Sequence, residues 1–283
     1  MQIVQQIEVL RNAVTALRRE GGTLALVPTM GALHEGHLAL VREARRRADH
    51  VAVSIFVNPR QFGAGEDLDA YPRQLDADTR LLEREGVALL WAPEVAQIYP
   101  ADFSTNVTVS GVSENLCGAT RPGHFDGVAT IVLKLFNQVR PDLAVFGEKD
   151  WQQLAVIRRM AHDLDLSHPH ADAIIGLPTV READGLALSS RNAYLSTVER
   201  GIASALPQIL RSAARRIRQG EDWSRVHADC LADLMAVGFG TVDYLELRDG
   251  DSLRPLTRAA PAARIFVAAK VGGTRLIDNM PAV

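Results

Sequence analysis

The stretch that most constrains this chain is Pro28-Thr29-Met30-Gly31-Ala32-Leu33-His34-Glu35-Gly36-His37. It lies between an apolar run, Thr23-Leu24-Ala25-Leu26-Val27, and a segment from Leu38 whose pattern turns helical. The apolar run reads as a short buried strand, so His34 to His37 fall where a strand hands over to a helix N-terminus. Main-chain N–H groups without partners gather at such an end, and the helix dipole presents its positive pole there. That makes a seat for phosphate. Two imidazoles three residues apart share one face of the first helical turn, so both can reach one anion. Gly31 is small enough for backbone to pass close to a ligand. Zinc fits less well. The zincin pattern needs histidines four apart and a third protein ligand, and no later pair is spaced to supply one.

Composition narrows the partners. The 283 residues carry a formal charge of −3, without the basic excess of a nucleic-acid footprint. Cys117 and Cys230 are too few and too far apart for a disulfide scaffold or a metal knuckle. Gln5, Glu8, Arg11, Arg18 and Arg19 interrupt any apolar core of a signal peptide. No apolar run approaches the ~20 residues of a membrane span. The expectation is a soluble, cytoplasmic protein with no nucleic-acid and no membrane partner.

Along the chain, helical spacing predicts a helix over residues 3–20, closed by Gly21-Gly22. A helix over 38–48 leads to a β-branched run at 51–57, the pattern of a strand covered on both faces. A loop through Arg60 to Asp67, a helix near 73–85 and a strand at 87–91 continue the alternation. Residues 92–123 read as irregular, with a short strand at 106–109. The turn-rich Arg121 to Gly127 opens a helix to about 139, and a core strand at 143–146 ends in Gly147-Glu148-Lys149-Asp150. A helix over 151–164 and the segment 174–178 close this half. Strand–helix alternation of this kind predicts a doubly wound, Rossmann-like parallel sheet. Beyond it lie a polar loop (181–192), amphipathic helices at 197–219 and 222–237, and β segments near 241–248, 263–271 and 274–279. This second pattern predicts a smaller C-terminal α+β domain, with the division at 1–177 and 178–283.

In an open α/β sheet, ligands bind beyond the carboxyl ends of the strands, where His34 to His37, Asn58 to Gln61 and Gly147 to Asp150 all fall. Lys149 offers a point charge to a phosphate, and Ser189-Ser190-Arg191 offers two hydroxyls and a guanidinium fork. Together they describe a nucleoside triphosphate held by His, Lys and Arg. The chain has no G-x-x-x-x-G-K-[ST] and no G-x-G-x-x-G after a strand, which disfavours P-loop kinases and dinucleotide enzymes. Nucleotidyl transfer suits this set, because alignment and charge stabilisation suffice and no enzyme nucleophile is required.

The segments V-P-T-M-G-A-L-H-E-G-H-L (27–38), S-I-F-V-N-P-R-Q-F (54–62), R-P-G-H-F-D-G-V-A-T (121–130), F-G-E-K-D-W-Q-Q-L (146–154) and D-G-L-A-L-S-S-R-N (184–192) resemble the pantothenate synthetase (pantoate–β-alanine ligase) family. The resemblance implies that ATP and pantoate give a pantoyl adenylate, which β-alanine then converts to pantothenate and AMP. It implies ATP contacts at Met30, Gly31, Ala32, Leu33, His34, Glu35, Gly36 and His37, at Gly147, Glu148, Lys149 and Asp150, and at Val180, Leu188, Ser189, Ser190 and Arg191. His37 falls in the proton-donor place, with His34 and Lys149 as its catalytic companions, and Gln61 and Gln153 match the glutamines that hold pantoate. Magnesium is expected to arrive bound to ATP, since Mg²⁺ often relies on substrate phosphates. A homodimer and a covering loop, placed within 61–72, are also implied. Asp78 reads as a solvated helix carboxylate with an indirect role as the alternative, and Arg60 is expected to border the pocket. Two rival functions share the motifs: a nucleotidyltransferase that keeps the nucleotide in its product, and a nucleotide-sensing or metal-binding regulator without turnover. Product analysis separates them, as free AMP, a nucleotide conjugate or neither.

Overall fold

The computed structural model describes residues 1–19 and 21–283. Strands β1 (Gln2–Val4), β2 (Leu24–Thr29), β3 (His50–Ile55), β4 (Leu89–Trp91), β5 (Leu143–Gly147) and β6 (Ile174–Leu177) form one sheet in the order β1-β4-β3-β2-β5-β6. Every pairing in it is parallel. The intervening α-helices are α1 (Ile7–Leu17), α2 (Glu35–Arg47), α3 (Leu75–Arg84), α4 (Val95–Ile98), α5 (Cys117–Thr120), α6 (His124–Val139) and α7 (Trp151–Asp163). Leu24 and Leu26 of β2 face a core with α1, α6 and α7, while Ala25 and Val27 face another with α2 and α3. All four are fully buried, which is why this central strand is apolar on both faces. From β2 the chain winds outward through β3 to β4, then returns to the other side of β2 to place β5. The winding therefore reverses between β2 and β5. A crevice opens there beyond the strands' carboxyl ends.

The second unit is antiparallel. Strands β7 (Thr241–Asp249), β8 (Ala263–Val271) and β9 (Thr274–Pro281) pair in sequence order, with α8 (Thr197–Ala203), α9 (Leu206–Arg218) and α10 (Trp223–Val237) packed with them around a separate core. Gly272 and Gly273 link β8 to β9 in a tight hairpin, with Gly272 at φ +54. The Rossmann-like sheet and the smaller α+β unit are both as expected. Among the described residues no helix is long and apolar enough to cross a membrane.

Three expected elements differ. Residues 2–4 form edge strand β1 against β4, and the first helix starts only at Ile7, after an extended Gln6. Val4, at the inward spacing of a strand, is buried there. The segment 106–109 joins no ladder, and the N–H of Val107 donates to Thr130 Oγ1 at 3.0 Å instead. The helix expected over 197–219 is two helices, broken between Ala203 and Leu206. Pro207 in the first turn of α9 explains the restart, since its missing N–H is harmless there and disruptive inside a helix.

Helix α6 lies flush on the turn that follows β3. A Cβ placed on Gly127 would stand 2.2 Å from the carbonyl oxygen of Arg60 and 2.8 Å from the nitrogen of Gln61. Gly127→Ala is therefore expected to cost about 2 kcal/mol in urea unfolding, the usual range for overpacking, and to displace the Pro59–Gln61 turn. Unchanged stability would show that the two elements do not press together.

Candidate active site

A cavity of about 690 Å³ occupies the crevice and extends to the second sheet. At its β2 edge, Gly31 (φ +83) and Ala32 (φ +50) turn the chain through left-handed conformations before α2. The N–H groups of Ala32 and Leu33 donate to the carboxylate of Asp78, at 2.9 and 2.8 Å. Asp78 is fully buried on α3, which corrects its reading as a solvated carboxylate. The turn leaves these N–H groups without a ladder partner, and a carboxylate from the next helix meets them. Burial pushes its carboxyl up, against the pull of those two bonds.

His34 is the N-cap of α2. Its Nδ1 accepts the N–H of Gly36 at 3.1 Å, and Nδ1 of His37 accepts the N–H of His34 at 3.3 Å. Each neutral ring then carries its proton on Nε2, leaving one N–H donor apiece. The rings lie 4.1 Å apart, centre to centre. Burial first, and then the Lys149 ammonium, lowers His34 to about 4; burial, the neighbouring His34 and Lys149 together lower His37 to about 3. Both imidazoles are therefore neutral at pH 7, and the fixed positive charge beside them is that of Lys149.

Met30, His34, Gly36 and His37 line the cavity. Gly31, Ala32, Leu33 and Glu35 do not: the first three shape the buried turn, and the Glu35 carboxylate pairs with Arg42 outside. From β5, Gly147, Lys149 and Asp150 reach the cavity, whereas Glu148 turns toward Arg264, 3.7 Å away. Asn279 of β9 donates through Nδ2 to the carbonyls of Glu148 and Lys149, both at 2.9 Å, and so braces that turn. Gln153, Val180 and Leu188 to Arg191 complete the wall. Arg191 is already engaged, donating through Nε and Nη2 to Asp67 at 2.9 and 2.8 Å. With Glu66 on Arg121, Tyr71 on Ser190 and Tyr194 on the carbonyl of Ala70, this ties down the 61–72 segment, whose Gly65, Glu66, Asp67 and Tyr71 line the cavity.

Gln61 also lines the cavity. Its Oε1 accepts from Asn58 Nδ2 at 3.1 Å, and its Nε2 meets the Met30 sulfur at 3.1 Å. Asn58 is buried and further held by the Gly127 carbonyl and the Tyr99 hydroxyl. Arg60, by contrast, points away: its guanidinium sits over Tyr99 and Phe103 and bonds Thr105 and Asn106. The expectation that it borders the pocket does not hold, because neighbours in a tight turn face opposite ways. Asn279 escaped the sequence reading, which placed Asn58 at the site only as part of a strand end and gave Asp78 no more than an indirect role. Only Asn58 had a local signal, as an Asn preceding Pro at a strand end.

A parallel α/β sheet with a cation-bearing, imidazole-rimmed cleft at its switch point defines a nucleotide-handling class of protein. The comparisons with known proteins narrow this. The family model described as Pantoate-beta-alanine ligase matches residues 2–281. A pantothenate synthetase of Novosphingobium aromaticivorans is 63% identical over 281 residues, covering 99% of this chain and 98% of that protein. The crystal structure of pantothenate synthetase from Thermus thermophilus superposes with a TM-score of 0.93 at 46% identity, covering 100% of this chain and 99% of that one. A pantoate-beta-alanine ligase from Francisella tularensis, described as complexed with beta-gamma ATP and beta-alanine, gives 0.84 at 34% identity, covering 100% and 98%. The chain belongs to the pantoate–β-alanine ligase family, and it is an enzyme of that family.

The depressed histidines have a consequence for stability. Below pH 6.5 the unfolded chain takes up protons that neutral His34 and His37 refuse, so acidification destabilises the fold until about pH 3. Between pH 7 and pH 5 each should cost about 2 kcal/mol. His37→Asn should flatten the fall in urea stability over that range; an unaltered slope would mean the ring is not held neutral.

Proposed function

We propose that the chain joins pantoate to β-alanine at the expense of ATP through a pantoyl adenylate. In the first step a carboxylate oxygen of pantoate attacks the α-phosphorus, the bond to the β-phosphate oxygen breaks, and pyrophosphate leaves. In the second the amine of β-alanine attacks the acyl carbon, the bond to AMP breaks, and the amine loses a proton. The observation that carries this reading is convergence. His34 and His37 from one strand end, Lys149 from another and Ser189, Ser190 and Arg191 from the polar loop line the same cavity as Gln61 and Gln153.

The roles follow from the chemistry of each group. The Nε2–H donors of His34 and His37 bond phosphate oxygens, with Lys149 supplying charge as pyrophosphate departs. ATP brings Mg²⁺ with it. Gly147 and Asp150 serve the ribose; Ser189, Ser190 and Arg191 serve the phosphates, Arg191 exchanging Asp67 for a phosphate oxygen. The Gln61 carboxamide spends a donor on a thioether, a weak acceptor that a hydroxy-acid oxygen readily replaces. The Met30–His37 run shapes this end of the site even where its side chains face elsewhere. Residues 1–177 then hold nucleotide and pantoate, and residues 178–283 deliver the Ser-Ser-Arg loop. A covering loop within 61–72, held in this way, would shield the acyl adenylate from hydrolysis. The homodimer and the cytoplasmic location belong to the same family reading.

The test is ATP–pyrophosphate exchange, expected to require pantoate and to proceed without β-alanine. Exchange that appears only with the amine would remove the adenylate. His37→Ala and Lys149→Ala should each slow single-turnover adenylate formation about 10²–10³-fold, with melting temperatures little moved. Near-normal rates would transfer the phosphate contacts to other residues.

A further inference from the structure

The carbonyl oxygen of Gln61, in the turn below the carboxamide that faces the cavity, accepts two side-chain donors. His124 Nδ1 is 2.8 Å from it and Arg121 Nη2 is 3.2 Å from it. A carbonyl only accepts, so the His124 proton must be on Nδ1. The other ring nitrogen, Nε2, lies 3.0 Å from Arg121 Nη1, and a guanidinium only donates, so Nε2 must be unprotonated. Both ring nitrogens are therefore assigned by their partners, and the result is the tautomer opposite to that of His34 and His37. A proton added at Nε2 would face Arg121; burial and Arg121 hold the ring at about 4. Glu66 fixes Arg121 in turn, accepting from Nε at 2.7 Å and from Nη2 at 2.5 Å. His124 opens α6, the helix that presses Gly127 onto the same turn.

We propose that His124 is a positioning residue: as the neutral Nδ1–H tautomer, shared with Arg121, it fixes the main chain of Gln61 and thereby aims the Gln61 carboxamide at the acid substrate. The inference rests on the reading above that Gln61 holds pantoate. Asn58 holds the carboxamide from one side and His124 holds the backbone from the other, so the amide has one orientation before substrate arrives. That placement spares substrate the entropy of ordering the turn.

Two near-isosteric variants separate the roles of the ring nitrogens. His124→Asn keeps a donor near Nδ1, whereas His124→Gln carries its amide out toward Nε2 and leaves the Gln61 carbonyl one donor short. His124→Asn should keep the KM for pantoate within about 3-fold, and His124→Gln should raise it about 10-fold, the loss of roughly one hydrogen bond, with the KM for ATP little changed in either. Equal effects of the two variants, or a rise confined to ATP, would overturn the proposal. Gln61→Ala separates this failure from that of the underlying reading. If it leaves the pantoate KM unchanged, both fall; if it raises the KM while His124→Gln does not, only the positioning role falls. Long-range proton–nitrogen NMR of histidine-labelled protein at pH 7.5 adds a readout independent of activity. The resonance lost in His124→Asn, one of eight histidines, should show the Nδ1–H pattern, and an Nε2–H or charged pattern would refute it.

Discussion

Two main-chain N–H groups, of Ala32 and Leu33, end on the buried carboxylate of Asp78, and the position of the imidazoles depends on that contact. The turn before α2 takes Ala32 into a left-handed conformation that costs a residue with a Cβ about 1–2 kcal/mol. Such a turn persists only where its surroundings hold it. Asp78 does so from α3, 45 residues beyond Leu33 in the chain, and fixes where α2 begins and where His34 caps it. Without that anchor the N–H groups would lie buried and unpaired, and the helix start would shift.

From that start the electrostatics of the cleft follow. Fixed cations and neutral N–H donors both attract anions, and this cleft carries both. Neutral imidazoles add directed N–H groups without adding to the repulsion around Lys149. Arginines at the rim arrive paired, Arg191 with Asp67 and Arg121 with Glu66. An anion entering at Arg191 therefore replaces another anion, and no guanidinium is left bare in between.

The sheet was legible because its strands are apolar on both faces and their ends carry turn residues. Leu24 to Val27 and Val51 to Val53 could be little else. The short edge strand β1 was hidden by Ile3, Ile7 and Leu10, whose spacing suits a helix running through all three. Among the site residues, the histidines, Lys149 and the Ser-Ser-Arg loop stood out because their chemistry is concentrated in short runs. Asp78 and Asn279 did not, because a carboxylate on a helix and an amide on a strand look like surface until the fold shows what they meet. Arg60 failed for the opposite reason: adjacency to Gln61 in sequence says nothing about direction within a one-turn helix.

Asn279 braces the Glu148–Lys149 turn from a strand synthesised 130 residues later. A nascent chain that has emerged only as far as β6 carries the six parallel strands and the histidines but lacks the Asn279 amide beneath the Glu148–Lys149 turn. This brace on the lysine-bearing turn is thus completed only at the closing stage of translation.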